Sequence, residues 1–405
     1  MSKRSVYIDF VKGITIFCVL LGHVLQYFCI GKADMMRGGL FLFIYGFHMP
    51  LFMLISGYLF GGSLKKYARG ELIAKKTYNL LHTIIMGSIF HYLLTFAAVR
   101  MFNGDSMLPL TWSVWISDLA NVWFLWSVLY CVVTVAIGCK TSEHIPIKII
   151  STVIAAYVLL FLFPNTSNNI FMIPYFIAGV VFSNVKARCD EDPDGKISVT
   201  VKRLSYLKYL SLPAYPILMN FFDISDTVYF GGIFGNKLFD RNFFDLRPII
   251  GNDNLTVYLK TDCFRWGVGL VGCIFMLTVC EILLKILMKT KFVRAVACLG
   301  TKTLEIYVLQ RTLVEFFLPY YLNRLCGEYA FFDRFHSLIS DSPILLSVIV
   351  APLISLFFSF FIYYVCVFSE KCGLSTILFG KGITVKTNRE KTFNAQDNIE
   401  NVKKL

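Results

Sequence analysis

The feature that most constrains this chain is the recurrence, along most of its length, of apolar windows about as long as a bilayer is thick. A helix of ~20 apolar residues crosses the roughly 30 Å hydrocarbon core with every backbone group paired inside the segment. Of the 405 residues, 56% are hydrophobic and only 16% are charged, more apolar surface than a soluble domain of this length can cover. The windows predict an all-α polytopic membrane protein of about ten transmembrane helices. They fall at residues 10–30, 39–60, 80–100, 121–138, 147–163, 169–184, 205–222, 263–284, 304–322 and 343–368.

Lysine and arginine set the orientation. The basic connections are "MSKR", "KKYARGELIAKK", "KARCDEDPDGKISVTVKR", "KILMKTKFVR" and the C-terminal tail. With Lys12 and Lys208 at the inner membrane edge, 28 of the 39 basic residues lie on one side, which the positive-inside bias makes the cytoplasm. Both termini are then cytoplasmic. The net charge of +13 follows from that bias and from contact with anionic membrane lipids, and needs no nucleic-acid partner. The first apolar run has no small-residue cleavage site and carries His23 in its middle, so it is read as a retained helix and not as a signal peptide. Residues 1–380 form one transmembrane domain. The outward segment 223–262 is expected to fold over the outer mouth of a cavity, and the polar tail 381–405 to be disordered in the cytoplasm.

Twelve cysteines are scattered mostly through the spans without a CxxC pair or a cysteine-histidine metal spacing. They are expected to be small packing residues, with no metal, haem or structural disulfide. A bridge between Cys263 and Cys326, both near the outer face, stays open.

"KGITIFCVLLGH" puts an ammonium at Lys12 and an imidazole at His23 with ten uncharged residues between them. Eleven helical steps make about three turns, so both side chains share a face, ~16 Å apart along the axis. A histidine at that depth is costly unless it faces the protein interior, either as a functional group or as a hydrogen-bond partner of a neighbouring helix. Lys12, one turn from the membrane edge, either faces that interior or snorkels to head groups. In "FHMPLFMLISGY", His48 precedes Pro50, which is expected to bend the second helix and free carbonyls for partners in the bundle, while Ser56 and Gly57 suit close helix packing. His82 and His91, nine residues apart, fall on nearly opposite helix faces and are read as structural.

"DFVKGITIFCVLLGH", "FHMPLFMLISGY", "NVWFLWSVLY", "FMIPYFIAGVVF" and "LGTKTLEIYVLQ", in that order, together resemble the acyltransferase-3 family of ten-helix membrane enzymes that acylate carbohydrates, in its stand-alone form without an appended hydrolase-like domain. The resemblance implies a basic residue ten positions before the essential histidine of the first helix. It is normally arginine; here it is Lys12, a point charge in place of a bidentate fork. Gln310 stands where many relatives carry histidine, which removes proton transfer from that position.

The resemblance further implies an acyl-CoA donor, acetyl-CoA or a longer homologue, as a substrate with no permanently bound cofactor, and a carbohydrate acceptor. The ~16 Å between Lys12 and His23 suits a molecule with a polyanionic end and a carbonyl one pantetheine arm away. Asp9 would orient Lys12, and Lys65, Lys66, Arg69, Lys75 and Lys76 would hold donor phosphates. His23 would act as general base on the sugar hydroxyl, or as a transient acyl carrier, with His48 in an orienting role. Ser56, Tyr58, Trp123, Trp126 and Arg265 are candidates for orienting substrate or oxyanion, and each equally suits packing or interfacial anchoring. Glu305 needs a partner, its nearest basic neighbours in sequence being Lys302 and Arg311. The expected location is the plasma membrane, the inner membrane in a bacterium. A glycan or solute transporter that uses His23 and His48 as a proton relay is the alternative; a catalytically silent scaffold makes poor use of two buried histidines.

Overall fold

The computed structural model describes residues 5–28, 39–103, 112–139, 144–160, 162–164, 166–222 and 254–380, and among these every regular element is helical. Of the expected outward segment 223–262, residues 223–253 lie outside the described residues, as does the tail 381–405, while residues 254–262 are helical and continue into the span that follows. In chain order the helices are α1 (Val6–Phe28), α2 (Gly39–Tyr45), α3 (His48–Lys66), α4 (Arg69–Asn103), α5 (Trp112–Ala120), α6 (Trp123–Cys139) and α7 (Ile145–Leu159). There follow α8 (Thr166–Glu191), α9 (Lys196–Leu204), α10 (Ser211–Met219), α11 (Asn254–Leu287), α12 (Lys291–Gly300) and α13 (Thr303–Gln310). After a π-helical segment at Arg311–Phe317 come α14 (Leu318–Glu328), α15 (Ala330–Ser340), α16 (Pro343–Lys371, itself π-helical over Leu346–Val350) and α17 (Leu374–Phe379).

Among the described residues six segments are long and apolar enough to cross a membrane: Val6–Phe28, Gly39–Lys66, Gly70–Met101, Asn168–Glu191, Cys263–Leu287 and Pro343–Lys371. A seventh is formed if α5 and α6, which meet at 57°, count as one bent span, and α7 is a shorter apolar helix. The remaining two expected windows are not single α-helices. Residues 205–222 open with a 3-10 segment at Ser205–Leu210, and residues 304–322 are interrupted by the π segment.

Helix α1 is the hub. Two thirds of its apolar window is buried, as is that of α2–α3, against a third or less for the other four, whose apolar faces are left for lipid. It packs against α3, α12, α13 and α16. Its tightest partner is α12, because a Cβ on Gly13 would strike the Val296 carbonyl and one on Gly300 would strike the Asp9 carbonyl. The α3–α8 pair uses the same device, with Gly57 against the Phe176 carbonyl and Gly179 against the Leu54 carbonyl. Small residues that let backbones approach are how helices associate where lipid removes the hydrophobic drive.

The helix is expected to be disrupted at Pro50, and the interruption lies a turn earlier, at Gly46 and Phe47. The helix stops at Tyr45 and restarts at His48, so Pro50 sits in the first turn of α3, where its missing N–H costs nothing. The carbonyls left by the break do find partners: the Phe43 oxygen accepts from the Tyr215 hydroxyl at 2.6 Å, and the Ile44 oxygen from His48 Nδ1 at 2.8 Å.

Cys263 and Cys326 are both free thiols, and no disulfide occurs among the described residues.

Candidate active site

Two cavities lie end to end between α1, α3, α4, α6 and α13. The larger, 620 Å³, is walled by His23 and Tyr27 of α1, His48 and Met49 of α3, Trp123 of α6, and Gln310, Arg311 and Glu315 around the π segment. The smaller, 170 Å³, holds Lys12 of α1, Ser56 of α3, Phe124 of α6 and Leu304 of α13. Because α3 runs antiparallel to α1, the end of α3 that meets the α4 lysines is the end at which Lys12 lies. Lys12 and His23 thus fall in adjacent chambers.

His23 does not stand alone in its chamber. Its Nε2 lies 3.6 Å from Glu315 Oε1, which also accepts a 2.7 Å hydrogen bond from Gln310 Nε2. At 3.6 Å the histidine contact is ion-pair range and not yet a hydrogen bond; such pairs commonly tighten only when substrate is bound. Gln310 and Glu315 are five residues apart. On an α-helix that spacing turns ~140° and sends the two side chains apart, whereas the i→i+5 pattern of a π segment stacks them. His23 Nδ1 is buried and has no hydrogen-bond partner.

His48 has a defined tautomer. A carbonyl only accepts, so His48 Nδ1 donates to the Ile44 oxygen and Nε2 carries the lone pair when the ring is neutral. Its ring packs on Tyr45 at 4.7 Å, and the Tyr45 hydroxyl donates to Gln26 Oε1 at 3.0 Å.

A second polar cluster braces the far wall. Arg311 donates to both the backbone oxygen and Oδ1 of Asp118, so the π segment is tied to α5 at the corner from which Asn121 and Trp123 enter the cavity. His91 Nε2 lies 3.4 Å from the same Asp118 oxygen, and His91 Nδ1 is 3.0 Å from the Thr312 hydroxyl.

The other sequence candidates divide. Ser56 joins Lys12 in the small chamber, and Trp123 joins the histidines in the large one. Asp9 is buried one turn from Lys12, its carbonyl against Gly300. Lys65 and Lys66 are exposed at the end of α3, and Lys75 and Lys76 are half-buried at the start of α4. The Lys66 and Lys75 ammoniums lie 5.2 Å and 5.0 Å from the Tyr67 ring, and the hydrogen bond from Lys66 lowers the phenol's pKa from its ordinary value. Tyr58 is partly exposed and lines neither chamber. Trp126 donates to the Leu119 oxygen at 2.9 Å, and the Arg265 guanidinium packs 4.4 Å from the Phe171 ring, away from both chambers. Glu305 is buried and lines neither; Lys302 pairs with Glu370, and Arg311 with Asp118.

Glu315, Asp118 and Tyr307 were not singled out in the sequence. Glu315 carried a signal: an acid within the apolar run "LVEFFL" is costly in a membrane and marks a site. No group of His, Cys, Asp and Glu among the described residues has the arrangement of a metal site.

Comparison with known proteins supplies the context. Residues 5–369 match a family model described as "Acyltransferase domain". Nodulation protein NolL of Sinorhizobium fredii is 35% identical over 129 residues, 32% of this chain and 35% of that protein. Nodulation protein NolL of Mesorhizobium japonicum is 30% identical over 153 residues, 37% of this chain and 40% of that protein. The chain therefore spans less than half the length of the curated relatives it matches. No solved structure matches. Because the family model runs over nearly the whole chain, and over every helix that builds the two chambers, the chain belongs to the acyltransferase-3 family of membrane-embedded acyltransferases.

Proposed function

We propose that the chain is a multi-pass O-acyltransferase of the plasma membrane, the inner membrane in a bacterium. It moves an acyl group, acetyl in the simplest case, from cytoplasmic acyl-CoA to a hydroxyl of a cell-surface or lipid-linked polysaccharide. The observation that carries the proposal is the stacked pair of chambers, with Lys12 in one and a carboxylate-backed His23 in the other. A 620 Å³ chamber is of the size that encloses a sugar ring. The lysines at the α3–α4 junction supply phosphate contacts on the Lys12 side.

The chemistry follows from the atoms. Once the 3.6 Å contact closes to a hydrogen bond, Glu315 accepts from the Nε2–H of neutral His23, which leaves Nδ1 as the basic nitrogen. Nδ1 takes the proton of the acceptor hydroxyl as its oxygen attacks the thioester carbonyl carbon. The Glu315 carboxylate stabilises the imidazolium that forms, and Gln310 fixes the carboxylate in turn. When the C–S bond breaks, the same imidazolium returns the proton to the departing thiolate, so His23 ends as it began. His48, with Nε2 as an acceptor, orients the hydroxyl. Trp123 lies in the same chamber and is the indole that would meet the oxyanion.

The same proposal takes ten crossings: the six continuous segments, the bent α5–α6 pair, α7, and the two interrupted windows at 205–222 and 304–322. Residues 1–380 are then the catalytic domain, with 223–262 outside and 381–405 in the cytoplasm.

Mass spectrometry of surface glycans, with the wild-type gene and with His23→Gln, tests the assignment. A one-acyl mass gain that only the wild type confers is the expected result. Identical glycans in both strains, with no label passing from acyl-CoA to any glycan, would sink it.

A further inference from the structure

The two chambers share one residue. Tyr307 of α13 lines both, whereas every other helix presents different residues to each: Ile84 and Leu80 on α4, Trp123 and Phe124 on α6, His48 and Ser56 on α3, His23 and Lys12 on α1. On α13 itself Val308 faces the His23 chamber and Leu304 the Lys12 chamber. The chambers are therefore stacked along five helices, and Tyr307 is the residue at which they meet. Its ring packs 5.5 Å from that of Phe124, whose own side chain is buried.

Volume says what passes. The Lys12 chamber, at 170 Å³, falls below the ~300 Å³ at which pockets begin to enclose compact ligands. It suits a slender flexible chain and not a nucleotide. A donor with its anionic end beyond Lys12 and its arm in this chamber must bring the acyl carbonyl past the tyrosine to reach His23. We propose that Tyr307 is the partition through which the acyl-thioester end of the donor enters the His23 chamber, and that its ring limits the length of the acyl group transferred. The proposal rests on the acyltransferase assignment for its ligand, but the partition is a property of the two chambers. Tyr307 is a specificity-determining residue and takes no part in proton transfer.

The test uses the full-length protein with Tyr307→Phe, Tyr307→Ala and Tyr307→Trp, and two readouts. In the first, kcat/KM is measured with acetyl-, butyryl- and octanoyl-CoA. Tyr307→Ala is expected to raise the octanoyl-to-acetyl ratio at least tenfold, Tyr307→Phe to leave it as in the wild type, and Tyr307→Trp to lower it. The second needs no turnover. Thr83→Cys places a thiol in the His23 chamber, and its modification by N-ethylmaleimide is followed by mass spectrometry of that peptide in sealed vesicles of either orientation. Reagent on the Lys12 side should modify it about tenfold faster with alanine at 307 than with tyrosine, and more slowly with tryptophan. From the opposite side residue 307 should make no difference. Selectivity and labelling that ignore residue 307 would overturn the partition while leaving an active acyltransferase standing. A labelling contrast in a protein that accepts no acyl-CoA would support the partition and remove the assigned donor.

Discussion

Single side chains separate the roles of the two chambers. His23→Gln keeps a hydrogen-bonding group of similar reach but cannot accept a proton near neutral pH, so it should stay in the membrane at normal abundance while acyl transfer falls ~10²–10⁴-fold. Recovery of transfer by glutamine would make His23 a helix-to-helix contact and nothing more. Glu315→Gln can still accept from Gln310 but removes the charge facing His23; a kcat loss of about tenfold or more, with KM for acyl-CoA unchanged, is expected. Lys12 should show the reverse split. Lys12→Ala should raise KM for acyl-CoA, and Lys12→Arg should keep or improve it, because a guanidinium forks onto phosphate; equal loss in both would mean that Lys12 serves the lipid. The Lys12–His23 relation was legible in the sequence because it depends only on the pitch of one helix. The His23–Glu315 contact was not, because it joins residues 292 positions apart and depends on a π segment that no apolar window reveals.

At the scale of elements, helix separation decides whether the site is assembled. The α3–α8 pair closes over Gly57 and Gly179, each of which would drive a Cβ into backbone that cannot yield. Gly57→Val or Gly179→Val should lower stability by ~1–3 kcal/mol or more, read as a lower melting temperature in detergent. Gly62, on the same helix five residues past Gly57 and with open space where a Cβ would stand, is the control: Gly62→Ala should leave the melting temperature unchanged or slightly raised. A valine at 57 that melts like the wild type would show that α3 and α8 are not held this closely. The existence of most helices was legible because a bilayer sets their length. Their interruptions were not: a window average counts apolar residues and is blind to hydrogen-bond register. Thus the α2–α3 break falls before His48 instead of at Pro50, and the window at 304–322 hides the segment that carries Arg311 and Glu315.

For the whole molecule, parity is the sharpest constraint. Chain ends on one side of a membrane need an even number of crossings, so each interrupted segment matters: if one of the windows 205–222 or 304–322 enters and leaves on the same side, the C-terminus moves to the opposite face. The chambers give an independent handle, since Lys12 shares its chamber with Ser56 and Leu59 of α3, which places the α3–α4 lysines at the Lys12 end of the molecule. A cytoplasmic donor therefore requires the 65–76 connection to be cytoplasmic whatever the total count. A tag inserted there and a reporter fused at Leu405 should both be protected from an impermeant reagent in intact cells, and a tag near Gly251 should be labelled. Labelling at Leu405 alone would reduce the crossings to an odd number and keep the donor on its side. Labelling in the 65–76 connection would invert the protein and put the Lys12 chamber where no coenzyme A is made, which no variant of the donor-inside, acceptor-outside scheme survives.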